Sequence, residues 1–157
     1  MAVGSSFESI VSGLQAAKPY KGRLQSKRGA NDCLVIDDSY NANPASVRMA
    51  IDALMACDGN KILVLGDMAE LGTNAQALHA DIGAYAKSAG VDKFLVTGVL
   101  SRFAAESFGA SAQWFDSWQS LADYCFAQAE KNSVFLIKGS RSAGMDRVAD
   151  VLVEAGR

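Results

Sequence analysis

The chain has 157 residues, half of them hydrophobic, which suffices for one sizeable core and leaves little room for a second full domain. Fifteen basic against seventeen acidic residues give a formal charge of −2 without a basic run, which argues against nucleic acid binding. The three cysteines, Cys33, Cys57 and Cys125, sit in apolar segments without metal-ligand spacing, no apolar run approaches the roughly 20 residues of a membrane span, and the start lacks the pattern of a secretory leader, so a reduced, cytoplasmic protein is expected.

In chain order, Phe7, Ile10, Val11 and Leu14 recur at helical spacing behind Ser5 and Glu8, which have the form of a capping box, so a helix is expected as far as Lys18 and Pro19. Residues 22–39, "GRLQSKRGANDCLVIDDS", hold two strand-like runs around the turn-forming "GAND" and read as a β-hairpin. Asn43 and Pro44 then cap a helix with Val47, Ile51 and Leu54 on one face. The strand "KILVLGD" follows. A helix over about 74–89 should turn Leu78, Ile82 and Tyr85 or Ala86 inward and stop at Gly90. Next come the strand "KFLVTG", the helix "LSRFAAESF" and a short strand near "QWF". Asp116 or Ser117 caps a helix to about Ala129, and the strand "SVFLIKGS" and the helix "GMDRVADVLVEAG" close the chain. Alternating helices with nearly unbroken apolar strands predict an α/β fold: a Rossmann-like open, mostly parallel sheet with helices on both faces and an N-terminal β-hairpin.

Ligands of such sheets gather at the carboxyl ends of the strands. Polar stretches leave several strands there, and each has two readings. In "DDSYNANP", Asp37 and Asp38 can accept from sugar hydroxyls or an amine, Tyr40 can stack, and Asn41 and Asn43 can bond either way. An Asx-rich loop that satisfies its own backbone explains Asn43 and Pro44 fully. It explains two adjacent acids behind a buried strand less well. "GDMAELG" places Asp67 and Glu70 between two glycines, either over a ligand or in an ordinary connection with Met68 and Leu71 in the core. In "KGSRS", Lys138, Ser140 and Arg141 precede a helix and can hold a carboxylate or phosphate, or be solvated charges beside a cap. His79 reads as a structural partner of the preceding loop rather than a catalyst, and the tryptophans as packing. Neither "GxxxxGK[ST]" nor a "GxGxxG" behind a strand occurs.

Taken together, "GRLQ", "DDSYNANPAS", "VLGDMAELG", His79 and "KGSRS" resemble, in order, the C-terminal domain of the Mur ligases, and within them of the members that join D-alanyl-D-alanine to UDP-N-acetylmuramoyl-tripeptide in peptidoglycan synthesis. The resemblance implies an N-terminal and a central ATPase domain beyond this sequence. It makes residues 1–18 the tail of the central domain and a linker, and residues 19–157 the C-terminal domain. It further implies ATP and Mg²⁺ held mainly by the central domain, and an isolated domain that is inactive. By motif position, Arg23 resembles the arginine that reaches the nucleotide phosphates, Asp38 the aspartate at the ribose, with Tyr40 and Asn41 nearby. Lys138, Ser140 and Arg141 match the segment lining the acceptor site, and charge alone puts Asp67 and Glu70 near the acceptor's ammonium. The competing expectations are a non-catalytic nucleotide- or dipeptide-binding α/β module and a plain interaction domain whose polar strand ends are caps.

Overall fold

A computed structural model describes residues 21–156. The helix and capping box expected over residues 5–19, and the boundary at residue 18, lie outside them. Six strands form one sheet in the order β1-β2-β6-β3-β4-β5: β1 (Gln25–Arg28), β2 (Leu34–Asp38), β3 (Asn60–Leu65), β4 (Lys93–Thr97), β5 (Ala112–Phe115) and β6 (Ser133–Lys138). Every pairing is parallel except β1 with β2, the expected hairpin. The hairpin turns through Gly29–Cys33, where Asn31 and Asp32 take positive φ, as short polar side chains tolerate.

Alternate strand residues feed two cores. Leu63, Leu65, Phe94, Val96 and Leu136 face α1 (Pro44–Met55), α2 (Ala75–Ala89) and α3 (Ser101–Phe108). Ile62, Val64, Leu95, Phe135 and Ile137 face α4 (Trp118–Ala127) and α5 (Asp146–Glu154). The sheet is therefore covered on both sides, which is why its central strands read as continuous apolar runs rather than alternating ones.

Local chemistry sets the helix ends. Asn43 Oδ1 accepts the Ser46 N–H at 2.8 Å while Ser46 Oγ accepts the Asn43 N–H at 3.1 Å, and Pro44 occupies the first turn, where its missing N–H costs nothing. Val47, Ile51 and Leu54 are buried as their spacing predicts. Ser117 caps α4, which ends at Ala127, and Gly90 stops α2 with φ 91°. Helix α2 differs in one respect: Ile82 and Ala86 point inward as expected, but Leu78 is only half-buried and His79 is fully buried beside it. The polar ring goes inside because its nitrogens meet the Met68 N–H of the preceding loop and the Ala75 carbonyl at the start of α2.

One topological feature positions the site. The chain crosses from β2 through α1 to β3 on one face, and from β5 through α4 to β6 on the other. β6 thus lies between β2 and β3 but sends its outgoing segment to the opposite face from theirs. Outgoing loops that diverge around neighbouring strand ends leave a crevice, the usual ligand position in such sheets.

Candidate functional site at the carboxyl rim of the sheet

Parallel pairing brings Asp38, Lys138 and Leu65 to the same edge, since Asp38 is registered with Lys138 and Lys138 with Leu65. The antiparallel β1 begins there too, because Gln25 pairs with Asp37, so Arg23 joins the rim from the other direction. Three loops expected from the sequence therefore meet: residues 37–44, 66–72 and 138–142.

The adjacent acids alternate across β2 and each finds a cation. Asp37 is fully buried and accepts from Lys27 Nζ at 2.7 Å and Ser39 Oγ at 2.6 Å. Asp38 accepts from Lys138 Nζ at 2.5 Å and from the Leu24 N–H at 3.1 Å. Lys138 also donates to the Asn41 carbonyl at 2.9 Å, with its side chain only 3% exposed. The Lys138 ammonium is thus engaged inside the rim with Asp38 and the residue-41 carbonyl.

Asp67 is engaged internally as well. Its Oδ1 accepts from the backbone of Leu100 and Ser101 at 3.1 and 2.7 Å and from Ser101 Oγ at 2.7 Å, and its Oδ2 from Val99 N–H at 3.0 Å. It caps the start of α3 across the rim, so its lone pairs are used by the protein rather than by an ammonium. Gly98 permits this approach, because a Cβ there would lie 2.3 Å from Asp67 Oδ1.

The residues left facing outward are Arg23, Tyr40, Asn41, Glu70 and Arg141. The guanidinium carbons of Arg23 and Arg141 lie 4.6 and 5.7 Å from the centroid of the Tyr40 ring. Tyr40 lines all three clefts at this rim, two of which also hold the other expected site residues. One, about 380 Å³, is lined by Arg23, Asp38, Tyr40, Asn41 and Lys138. The other, about 690 Å³, is lined by Tyr40, Asn41, Glu70, Ser140 and Arg141. Glu70 is exposed, takes φ 62°, a strained conformation for a non-glycine residue, and borders the second cleft. Ser140 is buried, its Oγ 3.1 Å from Ser142 Oγ and its N–H donated to the Asp67 carbonyl at 2.9 Å.

His79 ties the middle loop down. Its Nε2 accepts the Met68 N–H at 3.0 Å and its Nδ1 lies 2.7 Å from the Ala75 carbonyl, so the proton sits on Nδ1 and the ring is neutral. The ring is a fastener for residues 66–71, as expected from its place in the sequence.

Sequence reasoning missed Arg147 and Lys21, which line a third cleft of about 460 Å³ with Arg141 and Trp118. A basic residue one turn beyond the "KGSRS" segment was the available signal for Arg147. Among the described residues no group of three or more His, Cys, Asp and Glu side chains could hold a metal ion, and no helix is long and apolar enough to cross a membrane.

The described residues thus form a doubly wound sheet with a polar crevice at its carboxyl edge and two arginines facing one aromatic wall. Comparison with known proteins narrows this further. Residues 22–141 match the family described as "Mur ligase, glutamate ligase domain", and the chain belongs to that family. It is 38% identical over 157 residues to the UDP-N-acetylmuramoyl-tripeptide--D-alanyl-D-alanine ligase of Escherichia coli K12, covering 99% of this chain and 35% of that protein. Among solved structures, MurF from Acinetobacter baumannii superposes with a TM-score of 0.85 at 33% identity, covering 96% of this chain and 34% of that one. MurF ligase from Thermotoga maritima in complex with ADP gives 0.77 at 27% identity, covering 92% and 33%. The chain spans about a third of the length of the relatives it matches.

Proposed function

We propose that this chain is the C-terminal domain of an ATP-dependent amide ligase that joins D-alanyl-D-alanine to UDP-N-acetylmuramoyl-tripeptide, and that its polar rim closes over ATP bound to a central domain. The observation that carries this reading is the convergence of residues 37–44, 66–72 and 138–142 on two clefts that share Tyr40. Nearly complete alignment with ligases of that name, one solved with ADP, supports it.

In the reaction, the tripeptide carboxylate attacks the γ-phosphorus of ATP, and ADP leaves as an acyl phosphate forms. The amine of D-alanyl-D-alanine then attacks the acyl carbon, the amide C–N bond forms, the C–O bond to phosphate breaks, and the amine loses a proton. Little of this needs covalent help from the protein, so positioning and charge stabilisation dominate. Arg23 supplies a permanently charged planar fork to the phosphates from the first cleft, whose wall is Asp38, Tyr40 and Asn41. Arg141 pairs with the acceptor's carboxylate in the second cleft, with the Ser140 backbone behind it. Glu70, on the same cleft, faces the acceptor's ammonium. The rim acids do not fit a Mg²⁺ site, since Asp38 is paired with Lys138 and Asp67 caps α3. The cation belongs with the central domain, and no step here runs through it.

The test is a chimera in which this chain replaces the corresponding third of the E. coli relative. D-alanyl-D-alanine-dependent ADP release is expected. Arg141→Ala should raise the dipeptide KM about tenfold or more, and Arg23→Ala should act on the ATP KM or kcat, as loss of a charge-assisted contact does. Binding of dipeptide or nucleotide without turnover in the chimera would favour a plain binding module instead.

A further inference from the structure

Arg23 stands in a short segment held at both ends. On one side the Gly22 carbonyl accepts the Tyr40 N–H at 3.0 Å, with Gly22 at φ 76°. On the other, the Leu24 N–H donates to Asp38 Oδ1. Leu24 itself takes φ 45°, a conformation that a leucine keeps only under constraint, and its side chain is half exposed, so burial is not what holds it. The constraint leads inward. Asp38 Oδ2 is gripped by the ammonium of Lys138, which is buried at the end of the central strand β6 and fixed a second time by the Asn41 carbonyl. A continuous polar path thus runs from the middle of the sheet through Lys138 and Asp38 to the backbone beside Arg23.

We propose that Lys138 and Asp38 are positioning residues which hold the 22–24 turn in its strained form and so present Arg23 to the ligand in the first cleft. Asp38 then acts through the backbone of Leu24 rather than chiefly by accepting a ligand hydroxyl. A partly buried carboxylate and a buried ammonium in one geometry suit this task, because removal of either strands the other and loosens whatever it held. Using an ion pair rather than a turn sequence also explains why a leucine occupies a left-handed position that glycine or asparagine would fill freely. The functional half of this inference rests on the proposed role of Arg23 toward the nucleotide; the structural half does not.

The experiment has two arms. Amide hydrogen exchange at Leu24 is measured by NMR in this chain for wild type, Asp38→Ala, Asp38→Asn and Lys138→Met. Losing one backbone hydrogen bond predicts roughly fivefold to tenfold faster exchange at Leu24 in the alanine and methionine variants, with the asparagine variant, whose Oδ1 still accepts, within about twofold of wild type. Asp38→Ser, whose short hydroxyl cannot bridge Leu24 and Lys138, serves if the alanine variant does not fold. In the chimera, Asp38→Ala and Lys138→Met are both expected to raise the ATP KM, and Asp38→Asn to restore it largely. Unchanged Leu24 exchange in Asp38→Ala or Lys138→Met overturns the proposal. So does an ATP KM raised by Asp38→Ala but not by Lys138→Met, which would mean that Asp38 touches the nucleotide directly. If Leu24 loosens as expected while Arg23→Ala leaves ATP kinetics unchanged, the positioning stands and the assigned role of Arg23 falls.

Discussion

Replacing His79 with leucine removes the hydrogen bond that holds the loop of residues 66–71, together with the ring's bond to the Ala75 carbonyl within its own helix. Leucine roughly matches the volume of the ring, so the cavity term stays small and the main loss is the acceptor for the Met68 N–H. That amide belongs to a residue 1% exposed, and water cannot readily replace the ring nitrogen. An unsatisfied buried donor costs about 1–3 kcal/mol. For a domain of this size that corresponds to a fall in Tm of roughly 3–10 °C. Urea unfolding of wild type and His79→Leu, with amide exchange at Met68, measures both the cost and its location. The expected result is a lower midpoint with unchanged slope and faster exchange at Met68. A variant within about 0.5 kcal/mol of wild type, with Met68 still protected, would refute the assignment of the ring as the loop's fastener.

Gly83 should not tolerate alanine, although alanine normally stabilises a helix interior by about 0.5–1 kcal/mol over glycine. A Cβ there would lie 1.9 Å from the Ala104 carbonyl oxygen, so α2 and α3 must separate, and we expect a net loss of about 1–3 kcal/mol by chemical denaturation. Asp67→Ala should cost about 2 kcal/mol through loss of the α3 cap, with Asp67→Asn milder. A raised dipeptide KM at unchanged stability would instead restore Asp67 to the acceptor site. Burial pushes the Cys125 thiol up to about 12 and raises Cys33 as well, whereas Cys57 is partly exposed. At pH 8 a thiol reagent should therefore label Cys57 alone in the folded chain, confirmed by peptide mapping. Because the Cys125 thiol ionises near its ordinary 9.0 only when unfolded, the unfolded state sheds that proton first. Stability should fall as pH rises above about 9, and Cys125→Ala should flatten that slope.

Elements that depend on neighbours in sequence were legible from the chain itself. The Asn43–Pro44 start, the Gly90 stop and the "GAND" hairpin each need only a few adjacent residues, and each is found where its local chemistry puts it. The strand order was not legible, because nothing local to "SVFLIK" says that it inserts between β2 and β3. The roles of the rim acids were hidden for a related reason. Asp38 meets Lys138 one hundred residues later, and Asp67 meets the backbone of residues 99–101, so no nearby residue announced these internal partners. The inward turn of His79 was masked by its neighbour Leu78, whose hydrophobicity claimed the same inward stripe beside Ile82 and Ala86. Arg141 needed no such knowledge, since strand polarity alone brings the "KGSRS" segment to the carboxyl edge, whereas Arg23 was named by the family resemblance of "GRLQ".

The central claim is that the carboxyl edge around β2, β6 and β3 forms one half of a ligase active site. A crystal structure of the chimera with bound ADP tests it most directly. In it the Arg23 guanidinium should leave the Tyr40 ring and lie within hydrogen-bonding distance of the nucleotide phosphates, with Asp38 still bonded to the Leu24 N–H. A nucleotide bound with Arg23 still on Tyr40 and no residue of 22–24 or 38–41 within reach would contradict it.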